Sequence, residues 1–154
     1  MRSIYKIVVC SLLTLSITSC EKDLLEKEQY QKEIYLIGAY NRVWTTEVSY
    51  SNEEVKTYFT VSSSGTLALD RDVNVKMKIN EELVDIYNKK YWTVLNEDKY
   101  YKSLDTDLYS VPSLENTVIK HAEGISAEVP VLIKTASLKI DQSYVIPVEI
   151  ESTT

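Results

Sequence analysis

The stretch Val73 to Ile79 alternates without a break: Val73, Val75, Met77 and Ile79 fall on one face, Asn74, Lys76 and Lys78 on the other. A strand turns successive side chains to opposite faces, so this pattern marks a strand with one buried side. The same period recurs along the chain. Ile34-Tyr35-Leu36-Ile37 is a short apolar strand, and Val43 to Tyr50 places Trp44, Val48 and Tyr50 on one face. In Val55 to Val61, the residues Val55, Phe59 and Val61 alternate with Lys56, Tyr58 and Thr60. Thr117 to Lys120 and Ile125 to Lys134, joined by His121 to Gly124, read as a hairpin whose second strand points Ala127, Val129, Val131 and Ile133 one way. Tyr144, Ile146, Val148 and Ile150 form the last strand. Half-buried alternation of this kind predicts antiparallel sheets. Pro130 and Pro147 fall inside strands and belong where a missing N–H costs no ladder bond.

One segment changes period. Asn80 is a helix N-cap type, Glu81 and Glu82 open a turn, and Lys89-Lys90 close it, matching the helix dipole at both ends. Leu83, Ile86, Tyr87 and Tyr91 recur at helical spacing. The expectation is one helix over 81–91, then an irregular stretch over 92–116. The fold class that follows is all-β: an immunoglobulin-like antiparallel β-sandwich with one inserted helix, over residues 34–154. The Cys–Trp–Cys pattern of antibody domains is absent.

The N-terminus has a different character. Met1 to Lys6 is short and basic, and Ile7 to Ile17 is apolar but shorter than the roughly 20 residues a bilayer span needs. Ile17-Thr18-Ser19-Cys20 follows, and resembles the bacterial lipobox. The resemblance implies a signal peptide over 1–19 and lipidation at Cys20. The alternative is a buried cysteine after a membrane helix. Glu21-Lys22-Asp23 resembles the surface-export signal of Bacteroides-type lipoproteins; its plainer reading is a solvated tether. Residues 21–32 read as a polar linker, so 20–33 is the acylated Cys and tether. The expected location is the outer membrane, lipid-anchored through Cys20 and exposed at the cell surface. Cys10 is the only other cysteine and lies in the cleaved segment, which leaves no disulfide and no thiol nucleophile.

Composition narrows the function classes. The formal charge is -6, and nucleic acid is an unsuitable partner because its binding rests on Lys and Arg neutralising phosphates. Three Gly in the chain argue against a Gly-rich phosphate loop. The one His, His121, falls in a turn. Ser62-Ser63-Ser64-Gly65 lacks a base and an elbow context, and reads as a loop. Asp70-Arg71-Asp72 and Asp105-Thr106-Asp107 could offer oxygen ligands to calcium, but neither has the Gly turn and distal Glu of a known loop. The expectation is no catalytic residue, no metal and no cofactor.

Tyrosine is the unusual count, at 12 against one Phe and two Trp. Tyr91, Trp92, Tyr100 and Tyr101 cluster in sequence beside Asn96, Glu97, Asp98 and Lys99. Sugar rings stack their C–H faces on aromatic rings while polar neighbours bond the hydroxyls, so these four are the glycan-binding candidates. The competing reading is that they cover the end of the sandwich and the helix.

The order of these pieces resembles a domain of unknown function at the N-terminus of Bacteroides-type surface lipoproteins. The matching residues are Ile34-Tyr35-Leu36, Val73 to Ile79, Tyr87-Asn88-Lys89-Lys90 and Tyr109-Ser110-Val111-Pro112. They continue through Thr117-Val118-Ile119, Val129-Pro130-Val131 and Tyr144-Val145-Ile146-Pro147-Val148. In that family the domain often precedes a family 18 endoglycosidase-like or a laminin-G-like module. Another short strand and a further domain usually follow the Ile-Pro-Val strand, so the resemblance implies a sandwich short of its final strand. The hairpin turn there commonly places Gly before an acidic residue, whereas here it reads His121-Ala122-Glu123-Gly124. The resemblance implies a non-enzymatic, lipid-anchored accessory domain that binds a polysaccharide or oligosaccharide, or an anchoring spacer of a glycan-utilisation protein beside an outer-membrane protein partner. Two alternatives stay open: a structural or adhesion module binding another protein through a sheet edge, and the N-terminal fragment of a longer glycoside hydrolase.

Overall fold

The computed structural model describes residues 27–38, 42–51, 53–92, 94–139 and 142–154. The expected signal peptide, Cys20 and the acidic Glu21-Lys22-Asp23 patch lie outside the described residues. Among the described residues, nine strands and one α-helix follow in chain order: β1 (Ile34–Leu36), β2 (Glu54–Ser63), β3 (Val73–Ile79), α1 (Glu82–Tyr91), β4 (Lys102–Ser103), β5 (Tyr109–Ser110), β6 (Thr117–Ile119), β7 (Ser126–Lys134), β8 (Tyr144–Val145) and β9 (Val148–Thr153). One sheet has the order β1-β2-β7-β5, the other β6-β3-β9, and all their pairings are antiparallel. This is the all-β sandwich with one inserted helix that the alternation predicts. A two-residue parallel pair, β4 with β8, stands apart.

The core lies between the sheets. Val61, Val75, Met77, Ile119 and Val129 are fully buried and meet one another, with Leu69 beside them. A second cluster of Leu104, Val131 and Ile133 continues the core toward the helix end, and Phe59 packs against both. The buried set is the one alternation picked from β3 and β7, while Lys76, Lys78 and Glu128 face solvent.

Pro130 sits where its ring costs nothing. The Ser63 N–H donates to the Ile125 carbonyl at 2.8 Å, and Tyr58 stands opposite Pro130 in the same register. Bonded and non-bonded pairs alternate along an antiparallel ladder, so Tyr58/Pro130 is a non-bonded pair and the missing N–H points away from β2. On that far side β5 pairs only with Leu132 and Ile133.

Three expected elements differ. Val43 to Tyr50 is not a strand. β1 pairs with only Val61 to Ser63 of β2, and Val43 to Tyr50 does not extend that pairing; the adjoining Ser51 is held by buried Thr135, whose Oγ1 accepts from the Ser51 N–H at 2.9 Å and donates to the Ser51 carbonyl at 3.1 Å. Of its expected buried face only Val48 packs on the core; Trp44 and Tyr50 are exposed. The expected hairpin is an arch between sheets. β6 pairs with β3, while β7 pairs with β2 and β5, so His121 to Gly124 carries the chain from one sheet to the other. The turn is pinned by Asp72, whose Oδ1 accepts from the His121 N–H at 3.0 Å and lies 2.6 Å from His121 Nδ1. These contacts, the side-chain one first, hold the Asp72 carboxyl below its usual value. The last expected strand is two. Pro147 has no N–H to continue a ladder, and it separates β8 from β9. β9 then bulges at Glu151, which pairs with Lys76 at 2.7 Å.

Residues 28–33, read from sequence as the end of a linker, are docked. The Glu28 carboxylate accepts from the backbone N–H groups of Thr66 at 2.5 Å and Leu67 at 3.2 Å, and Lys32 Nζ donates to the Ala68 carbonyl at 2.6 Å. Gly65 makes room for them. Its φ is +125°, and a Cβ there would lie 2.9 Å from the Lys32 side chain. The bond from Thr66, above all, holds the Glu28 carboxyl below its usual range.

Candidate functional site

β3 starts at Val73, beside the arch and the loop that Glu28 clamps, and runs to Ile79 at the other end of the sandwich. A strand rises about 3.3 Å per residue, so the two ends are on the order of 20 Å apart. α1 begins at that far end. Asn80 serves its first turn, with Oδ1 accepting from the Glu82 N–H at 3.2 Å, and its own N–H donates to the Pro147 carbonyl at 2.8 Å. The buried face of α1 is carried by Val84 and Asn88 rather than by the expected Ile86 and Tyr91, which are 55% and 48% exposed. The shift has a polar cause. Asn88, only 3% exposed, donates from Nδ2 to the Tyr101 carbonyl at 2.9 Å and accepts the Tyr101 N–H on Oδ1 at 3.0 Å. A buried amide making both bonds lashes the returning chain to the helix.

Of the four aromatic candidates, the structure brings three together. Tyr91, Trp92 and Tyr100 line an open depression of about 440 Å³ at the C-terminal end of α1, with Lys89, Lys90 and Val94. Tyr101 does not join them. It lines a second depression of about 430 Å³ with Glu81, Glu82 and Asp85, and its ring meets Tyr87 at 5.6 Å. Tyr87 also meets Tyr91 at a centroid distance of 4.5 Å. Burial raises the Tyr87 phenol above its usual value, with Tyr101 and then Tyr91 adding to it.

The three rings of the depression are not equivalent. Trp92 is half-buried, and its Nε1 is enclosed with no partner among the described residues, so it forms a wall. Tyr91 is the exposed surface. Lys90 Nζ stands 5.6 Å from the Tyr91 ring centroid and Lys99 Nζ 5.6 Å from that of Trp92, within range of a cation–π attraction. Sequence proximity pointed to residues 96–99 as polar partners; of these only Lys99 is placed over a ring of the depression, while Lys89 and Lys90 line it. The signal for them was present, since they adjoin Tyr91 in the chain, but dipole compensation accounted for them fully.

The carboxylates and serines stand elsewhere. Ser62 and Ser63 are buried at the end of β2, Asp72 holds the arch, and Asp105 accepts the Leu108 N–H at 2.9 Å through its backbone carbonyl. Among the described residues, no three His, Cys, Asp or Glu side chains converge on a point that could hold a metal.

The fold is an all-β sandwich with an open depression lined by Tyr91, Trp92 and Tyr100 at the end of its helix. Residues 30–154 match a family model described as "-like, N-terminal domain", and the chain belongs to that family of Bacteroides-type N-terminal domains of unknown function. Two solved structures from Bacteroides ovatus share the fold. One, a structural-genomics protein of unknown function, superposes with a TM-score of 0.61 at 14% identity, over 79% of this chain and 40% of that one. The other, a multidomain protein including DUF1735, gives a TM-score of 0.55 at 17% identity, over 66% of this chain and 33% of that one. The chain thus spans less than half the length of either. Neither description names a catalytic activity. No match is found among curated proteins.

Proposed function

We propose that this chain is a non-enzymatic, lipid-anchored accessory module of a multidomain glycan-utilisation protein at the outer-membrane surface, and that it holds glycan in the depression of Tyr91, Trp92 and Tyr100. The anchor reading rests on Ile17-Thr18-Ser19-Cys20 behind a short apolar segment. One observation carries the glycan reading: an exposed tyrosine face over an open hollow at the C-terminal end of α1. A lipid at Cys20 leaves only seven residues, 21–27, before Glu28 is clamped. The clamped end then lies toward the membrane. A shallow, open site of this kind suits one or two sugar units of a long polymer, with weak affinity at each contact.

Retention of the full chain on a panel of immobilised polysaccharides tests this. At least one gel retains the wild type, and Tyr91→Ala loses that retention with no change in melting temperature. Retention that survives Tyr91→Ala, or a panel that retains nothing, contradicts the reading.

A further inference from the structure

The two depressions on α1 differ in charge. The hollow at its N-terminal end is lined by Glu81, Glu82 and Asp85 against Lys102 alone. The aromatic hollow at its C-terminal end is lined by Lys89 and Lys90 and, among the described residues, by no carboxylate. Glu97 and Asp98 adjoin Lys99 in the chain, but neither lines the hollow. A basic rim on a chain of formal charge -6 runs against the molecule's overall field. The helix dipole favours lysine at this position, but it has no bearing on the rings beneath.

The lysines matter because of where they stand. Lys90 lies over Tyr91 and Lys99 over Trp92, each at 5.6 Å. Tyr91 also meets Tyr87. A neutral sugar that stacks on Tyr91 competes with the Lys90 ammonium for the ring and offers it only uncharged hydroxyl acceptors in return. An anionic sugar does both jobs. Its carboxylate or sulfate accepts charge-assisted hydrogen bonds from the lysines and draws them off the rings, and its pyranose face takes the uncovered aromatic surface. Both lysines of the rim are exposed and long enough to swing outward.

We infer that the ligand of this depression is an anionic sugar, with its acidic group between Lys89 and Lys90 and its ring on Tyr91. The inference rests on the glycan reading of the same site and narrows it to one chemical class, uronate or sulfated.

The test compares binding of the full chain to polygalacturonate, to chondroitin sulfate and to a neutral xyloglucan, at low and at high salt. At least one anionic polymer binds more tightly than the neutral one by about tenfold at low salt, and high salt removes most of that advantage. Which of the two binds separates carboxylate from sulfate recognition. The Lys89→Gln/Lys90→Gln double variant loses the preference while its melting temperature stays unchanged. A Lys76→Gln/Lys78→Gln double variant removes as much positive charge from the β3 face and keeps the preference. Equal, salt-insensitive binding of neutral and anionic polymers, lost in Tyr91→Ala, overturns the anionic inference and leaves the glycan reading standing. An equal loss in both lysine double variants overturns it too, because the attraction is then general charge. Binding of none of the three polymers, together with no retention on the wider panel, ends both.

Discussion

Asn88 and Tyr101 exchange two hydrogen bonds: the Asn88 amide donates to the Tyr101 carbonyl and accepts the Tyr101 N–H, at 2.9 and 3.0 Å. This pair holds the 92–101 excursion against α1 and so sets the distance between Tyr91 and Tyr100. Asn88→Ala leaves a backbone donor and acceptor unpaired in a half-buried place. Denaturant melts should show a loss of about 1–3 kcal/mol. A loss below about 0.5 kcal/mol, the size expected for an inert surface change, would show that the pair carries no weight.

Glu28 gives a prediction with a sign. Its carboxyl is held below the usual value, chiefly by the Thr66 N–H. A group lowered in the folded state stabilises above its ordinary pKa of about 4.3, and the contribution fades as pH falls through the folded value. Hydrogen-exchange protection of the Thr66 and Leu67 amides should therefore be full at neutral pH and drop below about pH 4. In Glu28→Ala the same amides should be poorly protected at every pH. Identical protection in wild type and variant would mean that residues 28–33 are a free tether.

The sandwich core makes its own demand. Met77 is fully buried among Val61, Val75, Ile119 and Val129. Met77→Ala should cost about 2–5 kcal/mol in denaturant melts. Leu95, 92% exposed, should tolerate alanine within about 0.5 kcal/mol. Equal effects at the two positions would contradict the packing described.

Much of this was legible in the chain, and the exceptions share a cause. Alternation found β2, β3 and β7 because each buries one face, and period two survives whatever strand lies alongside. Pairing was less legible. Thr117 to Lys134 carries the sequence of a hairpin, yet its two strands join different sheets, because partner choice depends on edges that β2, β3 and β5 occupy. Val43 to Tyr50 alternates as well as β2 does, yet it joins no ladder. The site was half legible. Adjacency in sequence grouped Tyr91, Trp92, Tyr100 and Tyr101, but Tyr100 and Tyr101 point into different hollows, as neighbours in an extended chain do. Asn88 was invisible as a core residue, since a polar side chain on a helix reads as solvated until its partner is in place.

Cys20 carries the anchor prediction. Fatty-acid labelling of cells should mark the wild type, and Cys20→Ala should go unlabelled and unprocessed. Equal labelling of both would remove the lipid anchor.

The most direct measurement of the glycan reading is a heteronuclear NMR titration with a short oligosaccharide cut from the polymer that the chain retains. The Trp92 indole N–H gives a resolved signal, and the chain has only one other Trp, Trp44, whose side chain lies against Gly38. Shifts confined to Trp92 and to the backbone amides of Lys89, Lys90, Tyr91 and Tyr100, with Trp44 unmoved, are the expected result. Shifts centred on the β9 edge, or an unmoved Trp92 and Tyr91 at saturating ligand, would contradict it.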